Sequence, residues 1–380
     1  MVYTLTLNPA IDYYLETENF QLGMTNRSLG ESFKIGGKGI NVSRVLSRLG
    51  IQSVALGFIA GFTGKEIQRH CGFNARLAII DKDFSAGLTD NCVVSTEIAD
   101  KTFDVEHIEK NCGFKTDFIE VDGVSRINVK LLNNGLETEI NGNGGIISDE
   151  KIDLLLEKAN NIGEDDVVVL CGSLPRNFPK DFYSTFTKYT KSRHIIIDTS
   201  EQTLLASLEC RPFLIKPNHL ELGEIFGVDL RSCDISELQF YAEKLRSGGR
   251  RQAGGYSDRQ TDRQTDKHSD VYSDVRTDGY SDRRTDVYSD GRLNGNMDSF
   301  FGGHSGGAEN VLVSMGEKGA LLVTENGTFY EKAPQISVKS TVGAGDTLLA
   351  AFISEYFKSF NYNAALKFAV KTTAQLIVNS

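Results

Sequence analysis

The stretch SVKSTVGAGDTLLAAF, residues 337–352, changes character twice: a β-prone lead-in meets a turn of small residues, and an apolar run with helical spacing follows from about Asp346. Backbone N–H groups of Gly343, Ala344 and Gly345 can converge at such a helix start, where the aligned peptide dipoles favour an anion. The residues alone leave two readings of Asp346. It caps the helix, or it serves as a general base beside a transferring phosphoryl group and accepts the proton of an attacking hydroxyl.

Outward from this turn the same grammar recurs. Short β-rich runs such as YTLTLN, SVALGFI, DVVVLCG, HIIIDTS, PFLIKPN and NVLVSMG alternate with helical patterns, which predicts an α/β fold with a mostly parallel sheet covered by helices. Between them TDFIEVDG, SRINVKLLNNG and LETEINGNGG alternate in tandem with turn residues, which predicts a small antiparallel flap, of the kind that closes over a site.

The chain has 380 residues, 40% of them hydrophobic, enough for one large α/β domain or two ordinary ones. With 51 acidic against 41 basic residues the net charge is −10, which argues for a small-molecule ligand and against a nucleic-acid partner. No apolar run approaches a membrane span, so no membrane partner is expected. Cys71, Cys92, Cys112, Cys171, Cys210 and Cys233 form no CxxC pair, and MVYTLTLNPAID lacks the basic start of a leader, so a reduced, cytoplasmic protein is expected.

Three further stretches place polar groups against a ligand. GGKGINVSRVLSRLG sets Gly36, Gly37 and Gly39 ahead of an amphipathic helix with Lys38 and Asn41; it is neither a GxxxxGK[ST] loop nor a GxGxxG turn. KPNHLELGEIFG puts Asn218 and Glu221 three apart behind Lys216, a spacing that serves metal-bound water and phosphate or a helix cap equally well. SMGEKGALLV offers Ser314, Gly316 and Gly319 in a strand–turn–strand where backbone can lie close to a ligand.

Two segments break the pattern. From Tyr256 to Gly291 nine tetrapeptides carry Ser or Thr second and Asp third, a composition too poor in apolar surface to fold alone; a disordered insertion is expected over about 247–307. IQRHCGF (67–73) and IEKNCGF (108–114) echo each other, which marks about 74–110 as a second insertion.

In this order the motifs resemble the ribokinase-like PfkB family of carbohydrate kinases, over nearly the whole chain outside the two insertions. TLTLNPAIDYY, LGMTNRS, GGKGINVSRVL, GFTGKEI, TDFIEV, RINVK and ETEING are most similar to its 1-phosphofructokinase branch, with tagatose-6-phosphate kinases next. The resemblance implies a single domain with a three-layer α/β/α core and a β lid from about 12–35 and 115–141. It implies Asp346 as base with Gly343, Ala344 and Gly345 as anion hole, and Asp12, Gly37 and Asn41 on the sugar. Arg27, Lys38 and Arg126 are implied on the substrate's existing phosphate. Lys216, Asn218, Ser314, Gly316 and Gly319 are implied on ATP, and Glu221 and Asn218 on Mg2+.

The reaction implied is MgATP plus D-fructose 1-phosphate giving ADP and D-fructose 1,6-bisphosphate, and the assembly implied is a homodimer through the lid. Against the family pattern, Ala60 and Asn177 stand where glycine is usual, Asn141–Ser148 lacks the usual prolines, and the chain ends at KFAVKTTAQLIVNS, where relatives continue.

Overall fold

The computed structural model describes residues 1–71, 97–98, 101–102, 113–248, 306–337 and 341–378. In chain order the strands are β1 (Val2–Thr6), β2 (Ala10–Thr17), β3 (Gly30–Gly36), β4 (Ser53–Ala60), β5 (Glu97–Ile98), β6 (Lys101–Thr102), β7 (Lys115–Val121), β8 (Arg126–Asn133), β9 (Leu136–Asn141), β10 (Val167–Cys171), β11 (His194–Asp198), β12 (Leu214–Ile215), β13 (Asn310–Ser314), β14 (Ala320–Thr324) and β15 (Gly327–Glu331). The helices are α1 (Lys38–Arg48), α2 (Gly61–Cys71), α3 (Asp149–Asn160), α4 (Phe182–Thr187), α5 (Glu201–Ser207), α6 (His219–Phe226), α7 (Ile235–Ser247), α8 (Ala344–Ser359) and α9 (Tyr362–Val378).

β10 shows why the core has three layers. Its sequence VVVLC is apolar and buried at every position, so both faces of the strand need cover. Val167, Val169 and Cys171 face α1, α8 and α9, whereas Val168 and Leu170 face the cluster built by α3 to α7. The sheet runs β15-β14-β13-β12-β11-β10-β1-β4-β7. Its strands from β13 across to β7 are parallel, and only β14 and β15 are antiparallel. In such a sheet the chain turns from strand to helix at the carboxyl ends of the strands, and ligands collect there. Among the described residues no helix is long and apolar enough to cross a membrane.

A second sheet of four strands, β3-β2-β8-β9, leaves the body between β1 and α1 and between β7 and α3. Its roots are anchored by Ile11 and Ile35, which pack with Ile40, Ile59 and Ile67. Register pairs Asp12 with Asn128 and Tyr14 with Lys130, so one face is polar. The flap expected at 115–141 needs a correction, because β7 pairs along its length with β4 and is the edge of the large sheet. An edge strand alternates because its cover is incomplete, so its pattern imitates that of a flap strand.

Ahead of Gly343, residues 332–337 form no strand, and 338–340, where most of the β-prone lead-in falls, lie outside the described residues. The tetrapeptide tract lies outside the described residues, as does the segment 74–110 apart from β5 and β6. The chain nevertheless leaves the body at Gly248 and returns at Gly306 in one place: a Cβ on Gly248 would fall 2.4 Å from the Gly306 carbonyl oxygen. Ends that already touch add little strain to the core, and closure entropy grows only logarithmically with loop length. Two departures from the family pattern answer each other: Asn177 Nδ2 donates to the Ile147 carbonyl at 2.8 Å, which ties down the stretch that lacks prolines.

Candidate active site

The site assembles where β1, β10, β11, β12 and β13 end. α8 begins at Ala344, with Gly343 ahead of it at φ 80°, a left-handed conformation that glycine adopts without strain. Asp346 is therefore the third residue of the helix, and it makes no capping hydrogen bond. Its Oδ2 accepts from Asn41 Nδ2 of α1 at 2.8 Å, which ties the acid across the site to a second helix. Only 7% of Asp346 is exposed. Burial, reinforced by the nearby Asp198 charge, pushes its pKa up to about 6 against the opposing pull of Asn41, Lys216 and Lys38.

Beside it lies an ion triad. Asp198, at the end of β11 and fully buried, pairs through Oδ1 with Lys38 Nζ at 2.8 Å and through Oδ2 with Lys216 Nζ at 3.1 Å. The two ammonium groups hold the Asp198 carboxyl below the usual aspartate value despite its burial, and Asp198 in turn raises Lys38 above the usual lysine value. Lys216 also approaches the glycine turn: a Cβ on Gly345 would lie 3.2 Å from its Nζ. A helix N-terminus and a buried lysine thus meet in front of Asp346, a concentration of positive potential that suits a phosphoryl group.

The triad also fixes where Lys38 lies. It sits at the first position of α1, tied to Asp198, which places it near Lys216 rather than as a free surface cation. Asp198 was missed in the sequence because HIIIDTS reads simply as a strand meeting a turn. Its one legible signal is an acid at the carboxyl end of an apolar parallel strand.

Asn218 and Glu221 form a reciprocal capping box at the start of α6. Asn218 Oδ1 accepts from the N–H groups of Leu220 and Glu221 at 2.8 and 2.9 Å, and Glu221 Oε2 accepts from Asn218 N–H at 2.8 Å. This leaves one oxygen of Glu221 for a further contact, and the described residues hold no cluster of three or more metal-ligating side chains. Such a donor set fits a hard cation carried on nucleotide phosphates and reached through water, not a protein cage. Asn218 bridges to Ser314, which brings the turn Gly316–Lys318 beside it; at Gly319 a Cβ would strike the Glu331 carbonyl oxygen at 2.0 Å, so only glycine fits.

On the lid, Asp12 Oδ1 accepts from Asn128 Nδ2 at 2.7 Å, and Asn128 is a second residue that sequence reading missed. Arg126 opens β8 and spends its Nε on the Asn8 carbonyl at 3.0 Å. Gly37 precedes α1 at φ 136°. Arg27 lies exposed on the β2–β3 connection and is not brought to the triad.

The model of the family described as pfkB family carbohydrate kinase matches residues 2–97, 99–253 and 299–380. The chain is 33% identical over 372 residues to 1-phosphofructokinase of Bacillus subtilis (strain 168), covering 97% of this chain and 90% of that one. It is 28% identical to D-tagatose-1-phosphate kinase of Bacillus licheniformis, covering 97% and 90%. In fold it is similar to Arabidopsis thaliana ribokinase, with a TM-score of 0.60 at 16% identity over 99% of this chain and 92% of that one.

Proposed function

The chain belongs to the pfkB family of carbohydrate kinases, and on that premise we propose that it is a 1-phosphofructokinase that transfers the γ-phosphoryl group of ATP to O6 of D-fructose 1-phosphate. The observation that carries this reading is the meeting of a buried acid, a helix N-terminus and two lysines held on one aspartate. Asp346 accepts the proton of the O6 hydroxyl as that oxygen attacks phosphorus. The bond to the ADP oxygen breaks in line, and the proton later leaves to solvent. Gly343 and Gly345 present N–H groups, and Lys216 and Lys38 present charge, to the equatorial oxygens of the moving group, whereas the Ala344 N–H is donated to the Thr341 carbonyl at 3.1 Å and must be released to join them.

Asp12 holds sugar hydroxyls, and Arg126 and Arg27 are the cations left for the substrate's own phosphate. Ser314, Gly316 and Gly319 take the nucleotide, with Asn218 and Glu221 at its phosphates. Mg2+, when bound there, neutralises phosphate charge during transfer.

The substrate choice is tested by coupled ADP release with MgATP. Fructose 1-phosphate is expected to exceed fructose 6-phosphate and tagatose 6-phosphate by roughly tenfold or more in kcat/KM. Higher efficiency with either of the others reassigns the substrate. No turnover with any of them, from folded protein, makes the chain a sugar-phosphate-binding relative without catalysis.

We also propose a homodimer through the lid. Leu22, Leu29, Leu136 and Ile140 are 89%, 64%, 72% and 64% exposed on that sheet and its connection, an apolar surface unusual for a monomer. Light scattering is expected to give twice the chain mass for the wild type and the chain mass for Leu29→Glu/Ile140→Glu. A wild-type monomer at micromolar concentration ends this reading.

A further inference from the structure

One turn beyond Asn41 on α1, Arg44 directs its Nη1 to the Asn41 carbonyl oxygen Oδ1 at 2.9 Å, while the amide nitrogen of the same side chain donates to Asp346 Oδ2 at 2.8 Å. Resting on the reading of Asp346 as base, we infer that Arg44 is a positioning residue that fixes which way the Asn41 amide points. A guanidinium carries donors only, so the oxygen of the amide must face it. The NH2 group is then forced toward the carboxylate. Reversed, the amide would set two donors against each other at Arg44 and offer a carbonyl to Asp346, an arrangement that favours the protonated acid and disables a base.

Arg44 is half-buried, and the groups around it explain why it has this task to itself. Asp346 is faced by Asp198 from β11, by Lys216 beyond β12, by Lys38 and Asn41 from α1, and by Cys171 from the end of β10. Arg44 is faced by Cys71 from α2 and Arg48 from its own helix. Both lysines are committed to Asp198, so among the described residues it is Asn41 that donates a side-chain hydrogen bond to the Asp346 carboxylate, and its direction is set from behind.

The test compares pH profiles of kcat/KM for the wild type, Arg44→Met and Arg44→Lys. The substrate phosphate titrates in the same window but is common to all three curves. Without a donor at position 44 the amide turns freely, and the acidic limb is expected to move up by about one pH unit. Turnover at pH 6 then falls roughly fivefold while that at pH 8.5 stays near wild type.

Lysine, also a donor without acceptor, is expected to restore the wild-type limb. A merely structural role would lower the melting temperature of the variants and leave the limb in place, and that result overturns the inference. Should Arg44→Met not fold, Arg44→Gln can accept as well as donate, leaves the direction unspecified and moves the limb part of the way. If Asp346→Asn keeps wild-type turnover, the base itself is misassigned; if that variant is inactive and the Arg44→Met limb is unmoved, only the role of Arg44 falls.

Discussion

Asp346→Asn is expected to lose roughly a thousandfold in kcat and, in the same protein, to gain stability. The first effect is the usual worth of a positioned general base. The second follows from burial: the pKa of the carboxyl rises from 3.8 to about 6, so the folded chain holds this proton more tightly than the unfolded chain does. A raised acid pKa means that the stabilising form is the protonated one. The contribution of Asp346 to stability is therefore highest below about pH 4 and declines as pH rises through about 6. At pH 7 an ionised Asp346 costs up to about 3 kcal/mol, from a shift of about two units.

Asparagine keeps the shape and an acceptor for Asn41 while removing that cost. Thermal unfolding at pH 7 and at pH 4 checks the claim: the variant melts above the wild type at pH 7, and the gap narrows at pH 4. A variant less stable than the wild type at pH 7 would show that Asp346 is held as a structural partner rather than as a strained catalytic group.

The second large effect concerns Asp198. Asp198→Ala leaves Lys216, only 5% exposed, and Lys38 facing each other without a counter-charge. Breaking one side of a buried ion set costs about 3 to 5 kcal/mol, and the expected loss in urea unfolding is of that order. The pH dependence has a definite sign. Asp198 is depressed below the ordinary aspartate value, so its stabilisation is present above that value and lost as pH falls below it.

A compensated pair, Asp198→Leu with Lys216→Met, is expected to regain most of the stability and none of the activity. The distinction matters because the triad is then seen to serve chemistry: the apolar replacement folds, yet Lys216 no longer faces the transferring group and Lys38 is no longer held there by Asp198. Equal loss in Asp198→Ala and in the compensated pair would contradict this view.

How much of this was legible in the sequence depends on the range of each interaction. The glycine turn before Asp346, the cluster before Asn41 and the alternation of strand and helix are local patterns, and the structure builds α1, α8 and the three layers from them. The lid strands β8 and β9 are legible too, because a hairpin is a local event. β7 was assigned to the lid because its pairing with β4 spans a separation that no periodicity records.

Asp198 was invisible for the same reason. Its partner Lys38 lies 160 positions away, and only the parallel order of β10, β11 and β12 brings Lys38, Lys216 and Asp346 to one point. The Asn218–Glu221 spacing was ambiguous by nature, since a capping box and a water-mediated contact to phosphate ask for the same two residues.

The most direct test of the account follows phosphorus rather than ADP. Full-length protein and its Asp346→Asn variant are incubated with MgATP and fructose 1-phosphate, and products are read by 31P NMR. The wild type is predicted to convert the signals to those of ADP and fructose 1,6-bisphosphate in equal amounts, with no inorganic phosphate, while the variant leaves the substrates unchanged over the same interval. Appearance of ADP with inorganic phosphate, or of bisphosphate at an undiminished rate from the variant, would contradict the claim that Asp346 activates the O6 hydroxyl for phosphoryl transfer.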